Sequence, residues 1–118
     1  MNIGTVVEIR DDLTIIHLKG DLYPHNIGLF QEIWSAQIRK SPRVVGIDCH
    51  DLNSVDSSAA HYMGNFAREA CNREIKLVFY DMKPSILKTV NRVKQKDPLY
   101  IITKSRFEDE YVRKKAMV

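Results

Sequence analysis

An α/β domain with a mixed β-sheet is the fold class this 118-residue sequence predicts, and three observations predict it. Two short runs rich in Val, Ile and Thr flank Arg10-Asp11-Asp12 near the start, the pattern of an antiparallel hairpin. Beyond it, β-branched runs alternate with stretches whose apolar residues recur three and four apart. Such strands run parallel to one another through right-handed helical crossovers. The apolar content of 44% suits one core of ordinary size, so residues 1–118 are expected to form one domain, without repeat, low-complexity segment or linker.

In chain order, the hairpin strands are Thr5 to Ile9 and Leu13 to Leu18, after which Gly20-Asp21-Leu22 breaks the pattern. A helix starting at Pro24 or Asn26 carries Ile27, Phe30, Ile33, Trp34 and Ile38 inward and stops at Ser41-Pro42, with Trp34 in the core. Arg43 to Cys49 has the length of a central strand, and His50 to Ser54 reads as a polar turn. The next helix buries Ala59, Ala60, Met63, Phe66, Ala67, Ala70 and Cys71, while Ser57, His61, Asn65, Arg68 and Asn72 share its opposite face. Ile75 to Tyr80 is a further buried strand, and Pro84 suits the first turn of a helix that directs Ile86, Leu87, Val90 and Val93 inward. Pro98 ends a loop before a last strand, Leu99 to Thr103. Ser105 then caps a terminal helix, with Glu108 at capping-box spacing and Phe107, Tyr111 and Val112 as anchors. That makes about four helices.

Composition excludes several classes. No apolar run approaches the roughly 20 residues that cross a bilayer. Met1 to Thr5 lacks the basic and apolar parts of a signal peptide, so the expectation is a cytoplasmic protein without membrane insertion. Cys49 and Cys71 are too few and too far apart for a disulfide framework or a metal cluster, which leaves reduced, buried thiols. Residues 1–60 carry five basic and eight acidic groups, residues 61–118 thirteen and seven. The densest basic segment, Lys83, Lys88, Arg92, Lys94 and Lys96, has no glycine-rich loop or interleaved aromatics. It reads as a solvated face or a patch for an acidic protein surface, not as a direct nucleic-acid platform.

The chemistry-bearing stretch is Val55 to Ala60. Asp56 is a good N-cap, because its carboxylate accepts from otherwise unpaired amides of the first turn. Ser57 and Ser58 then occupy the first helical positions, where free amides and the helix dipole tolerate a phosphate. A nucleophilic serine would need a base and an oxyanion hole, and the Gly-x-Ser-x-Gly elbow is absent. His61 lies one turn after Ser57 with no evident orienting acid, so it reads as an exposed contact residue. Asp48, His50, Asp51 and Asp56 form a loose cluster without ligand spacing, and no glycine-rich phosphate loop exists. No metal and no cofactor are expected.

A phospho-aspartate receiver is a competing reading, with Asp11-Asp12 after the first strand, Asp48 ending a middle one and Lys104 after the last. A receiver follows its first strand with a helix. Here Leu13 to Leu18 pairs back instead, which moves Asp11-Asp12 to a hairpin tip at the opposite end of the sheet from Asp48.

Over nearly its whole length the chain resembles the STAS domain, the fold of bacterial anti-sigma factor antagonists. The carriers are Gly20-Asp21-Leu22, similar to the family's Gly-Glu-Leu-Asp; Val44 to Asp48 and Leu52 ahead of Asp56-Ser57-Ser58, similar to its Asp-Ser-Ser/Thr-Gly motif; Ile75-Lys76-Leu77-Val78; and Pro84 opening a helix. The resemblance implies a non-enzymatic binding module whose phosphorylated hydroxyl is Ser57, directly after the motif aspartate. It further implies an anti-sigma factor that is also a serine kinase with a histidine-kinase-like ATPase fold, which binds the unphosphorylated form, and a serine phosphatase that resets it. Asp21, Tyr23, Asp56, Ser58, His61, Asn65 and Arg68 are the implied contact surface. Ala59 replaces the motif glycine, Tyr23 stands where the family often has aspartate, and Val93 to Leu99 is longer and more basic than usual. The alternative within the family is an unphosphorylated scaffold or lipid-transport accessory subunit using Lys83 to Lys96.

Overall fold

A tight turn at Asp11-Asp12, with Asp11 in the left-handed region (φ 56°), folds β1 (Gly4–Arg10) back onto β2 (Leu13–Leu22) in antiparallel register. The computed structural model describes residues 3–93 and 99–113. The chain continues through α1 (Ile27–Ile38), β3 (Val44–Val55), α2 (Ser57–Asn72), β4 (Lys76–Tyr80), α3 (Pro84–Arg92) and β5 (Ile101–Ile102). It closes with α4 (Lys104–Phe107), which widens into a π-helical segment over Glu108–Arg113. The strands lie in the order β1-β2-β3-β4-β5; the first pair is antiparallel and the rest are parallel, the pairing sense that the sequence predicts.

The period-two alternation of the strands divides their side chains between two layers. On one face Ile16, Leu18, Val45, Ile47, Leu77 and Phe79 join the inward stripes of α1, α2 and α3. Phe30 meets Phe66 edge-on at 5.1 Å, and Trp34, fully buried, donates its indole N–H to Glu69 Oε1 at 2.7 Å. On the other face Leu13, Ile15, Val44, Val78, Tyr80 and Ile102 receive the terminal helix through Phe107, Tyr111 and Val112. The Phe107 ring stacks on Tyr80 at 4.0 Å and lies directly over Gly46, where a Cβ would come within 2.5 Å of the ring. Glycine is needed there for close approach. No helix among the described residues is long and apolar enough to cross a membrane.

Several boundaries differ from the expectation. Gly20-Asp21-Leu22 continues β2 instead of ending it: Gly20 takes φ 105° and absorbs an irregularity in the pairing with β3, so the strand runs on past its glycine. His50 to Ser54 is likewise strand, not turn. β3 pairs with β2 as far as Val55, whereas β4 ends opposite Asp48, and the polar residues on this overhang have one open side facing water. Leu99 to Thr103 contributes only Ile101–Ile102 to the sheet. The cap of α4 is Thr103, whose Oγ1 accepts from Arg106 N at 3.1 Å, in place of the Ser105 box. Cys49 is buried, but Cys71 is exposed, because it falls in the last turn of α2 beyond the edge of the core. The expectations for Lys94, Lys96 and Pro98 lie outside the described residues.

Candidate functional site

Because β2 and β3 overrun β4, their C-terminal ends bring two connections side by side. Asp21 is in register with Ser54 and Leu22 with Val55, so the β2–α1 loop lies against the start of α2. The Asp56 amide reaches Leu22 O at 3.4 Å, and its carboxylate caps α2 by accepting from Ala59 N at 2.8 Å. Asp56 itself is extended (φ −90°, ψ 175°), the backbone an N-cap requires. Ser57 and Ser58 are therefore the first two residues of the helix, and both are exposed. The Ser57 hydroxyl has no partner among the described residues. His61, Asn65 and Arg68 are exposed along the same helix, while Ala59, Ala60, Met63, Phe66 and Ala70 are buried and Ala67 is half-buried.

Asp21 is placed differently from a surface contact. It is only 5% exposed, and its carboxylate accepts from Ser54 Oγ at 2.6 Å. The Ser54 oxygen lies 2.7 Å from the Tyr23 hydroxyl, which donates to it while the serine proton is committed to Asp21. Asn26 completes the knot: its Oδ1 accepts from Tyr23 N at 2.9 Å and its Nδ2 donates to Asp21 O at 2.7 Å, so this N-cap residue braces the loop instead of capping α1. Burying a carboxylate is costly unless hydrogen bonds replace its water, and Ser54 supplies one here. Asp21 thus holds Tyr23, half-buried, beside the Ser57 end of α2 through Ser54. Ser54 is not singled out by the sequence, and Asn26 only as a possible start of α1. Ser54 is recognisable only from the register of β2 on β3.

The remaining polar candidates go elsewhere. Asp48 lies mid-strand on the face opposite α2 and accepts from His17 Nδ1 at 2.7 Å, while His17 Nε2 donates to Glu8 at 3.2 Å. Burial opposes charge on this imidazole, but the two carboxylate hydrogen bonds prevail and raise its pKa. His50 points Nδ1 at Asp81 Oδ2 (2.8 Å), and Asp56 is committed to its cap. Asp48, His50, Asp51 and Asp56 therefore do not converge, and no group of three His, Cys, Asp or Glu side chains among the described residues is arranged to hold a metal ion. Asp12 meets Arg43 where β3 begins, away from Asp48, so the receiver arrangement is not assembled. What the α2 end offers is an exposed alcohol at a helix N-terminus, with the polar and charged side chains of His61, Asn65 and Arg68 along the same helix.

Comparisons with known proteins bear on the fold. No curated protein has a significantly similar sequence. In structure, the chain is similar to the anti-sigma factor antagonist SpoIIAA in its unphosphorylated form, with a TM-score of 0.71 at 15% identity, over 98% of this chain and 100% of that one. It is similar to SpoIIAA of Bacillus in its phosphorylated form, with a TM-score of 0.66 at 17% identity over 90% and 97%. A serine-to-glutamate variant of RsbS from Moorella thermoacetica gives 0.72 at 14% identity over 97% and 98%. These likenesses establish a shared fold. With the STAS domain profile matching residues 5–109, the chain belongs to the STAS domain family.

Proposed function

We propose that this protein is a regulatory binding module of the anti-sigma factor antagonist type, switched by reversible phosphorylation of Ser57. The observation that carries the reading is the free, exposed Ser57 hydroxyl at the first position of a helix capped by Asp56. In this reading the unmodified protein binds an anti-sigma factor that is also a serine kinase of the histidine-kinase-like ATPase fold, and a serine phosphatase reverses the modification. Ser58, His61, Asn65, Arg68 and Tyr23 form the contact surface, Asp56 orients the helix end, and Asp21 acts through Ser54 by positioning Tyr23. The module is cytoplasmic and has no catalytic activity of its own.

Magnitudes favour a switch in association over a switch in fold. Phosphate adds about −1.5 to −2 charge, and a helix N-terminus offsets an anion by about 1 kcal/mol at an exposed site. The free domain is hardly perturbed. At a docked surface the same group must be desolvated, at several kcal/mol if unpaired, which weakens binding on the order of a hundredfold or more.

The test uses wild type, Ser57→Ala and Ser57→Asp as baits in lysate of the source cells, with ATP supplied or withheld, and phosphosites mapped by mass spectrometry. Expected are acid-stable phosphate on Ser57 of the wild type with ATP, and a partner kept by wild type without ATP and by Ser57→Ala but lost by Ser57→Asp. Equal recovery by all three proteins without phosphate on Ser57 would overturn the switch and leave the unphosphorylated scaffold.

A further inference from the structure

Among the described residues β1 is the long open edge of the sheet. It pairs with β2 alone, through seven consecutive partners from Gly4 to Arg10 without a bulge, whereas the opposite edge, β5, has only two residues. Because Arg10 and Leu13 flank a two-residue turn, that pair is hydrogen-bonded, and alternation along the ladder turns the backbone groups of Thr5, Val7 and Ile9 away from β2. These three have no backbone partner outside the β1–β2 pairing among the described residues. An open edge of this kind is a template for a further strand.

The usual protections of an edge are missing from this strand. Gly4–Arg10 contains no proline and no lysine. Its two charged residues, Glu8 and Arg10, bond to each other, and Glu8 also engages His17. Thr5, Val6, Val7 and Ile9 are β-branched, the residue type that suits a pleated, half-buried surface. Yet Val6 is 65% and Ile9 55% exposed, the two most exposed large apolar side chains among the described residues. They stand on opposite faces of the strand, so both faces of the edge are apolar and uncovered.

We propose that β1 pairs antiparallel with β1 of a second copy about a two-fold axis through Val7, which joins the two five-stranded sheets into one. This register overlaps all seven residues, sets Thr5 opposite Ile9 and Val6 opposite Glu8 of the second copy, and gives each outward N–H a C=O. An axis through Glu8 would instead set two carboxylates face to face. A second copy is the favoured occupant because the strand is self-complementary: it carries one negative and one positive charge, already joined to each other, so it neither selects a charged partner nor repels itself. A contact one strand wide falls below the ~1,200 Å² of a standard interface, so association is weak, with Kd on the order of 100 µM. This edge is separated from β3 by β2 and does not depend on Ser57.

Sedimentation equilibrium of the full chain from about 10 µM to about 1 mM reads the mass, and amide hydrogen exchange at the two extremes reads the place of contact. Expected are a mass that rises from the 13.7 kDa of one chain toward twice that value, and slower exchange at Thr5, Val7 and Ile9 in the concentrated sample with Ile101 unchanged. Ile9→Lys charges the edge and Thr5→Pro removes one of its donors; each weakens association by at least about fivefold while the thermal melt stays cooperative. Ile9 is exposed, so Ile9→Lys keeps the test decisive if the proline variant fails to fold. A monomer throughout, a dimer whose protected amides lie elsewhere, or unchanged association in Ile9→Lys would overturn the proposal.

Discussion

Gly46 is where a single missing side chain decides how the terminal helix docks. Its absent Cβ leaves room for the Phe107 ring, which has Tyr80 stacked at 4.0 Å beside it and cannot retreat without losing that contact. Gly46→Ala is expected to destabilise by about 1–3 kcal/mol in urea denaturation, as overpacking does. Gly28, early in α1 with nothing within 4 Å of an added Cβ, is the control; Gly28→Ala is expected to be neutral or to gain about 0.5 kcal/mol. At the other end of the molecule, Asp56→Ala removes the acceptor of the Ala59 amide and should cost about 1 kcal/mol. The cap was legible from residue type and position alone. Gly46 was not, because the need for it is set by a phenylalanine 61 positions away in the chain.

Among the elements, the three strands β1, β2 and β3 are tied across one face by Glu8, His17 and Asp48. The His17 pKa is raised in the folded state, so its stabilisation is complete below the unfolded value of 6.5 and is lost as pH rises through the folded one. The Glu8 pKa is lowered, chiefly by the hydrogen bond from His17, so its contribution is present above 4.5 and is lost as pH falls through the lowered value. Both are in force in the interval between. The difference in Tm between wild type and His17→Gln is therefore expected to be widest near about pH 5.5 and to shrink by about pH 9. Thermal melts at the two pH values check this, and a gap that grows with pH contradicts it. The strand positions of Glu8, His17 and Asp48 were readable in sequence. Their meeting was not, since it depends on the pairings Glu8 to Ile15 and His17 to Asp48 in two different registers.

Across the whole molecule, the sheet separates two surfaces: α1, α2 and α3 cover one face and present Ser57 at their edge, while the other face holds the terminal helix. Ser57→Asp should leave urea stability within about 1 kcal/mol of wild type and confine amide shifts to the start of α2 and the Tyr23 loop, because the added charge meets a helix N-terminus and water. Shifts spread through β4 and α3 would contradict a module that switches partners without refolding. What the sequence by itself determined was the order of strands and helices, the inward stripes and the capped serine, since these follow from period, turn chemistry and short-range hydrogen bonding. Only the tertiary structure decided that Gly20 would be a bulge instead of a break, that Asp21 would be buried and joined to Tyr23 through Ser54, and that Phe107 would close over Gly46. Each of these depends on which residues of distant strands and helices are brought within a few ångströms, and local pattern carries no record of that.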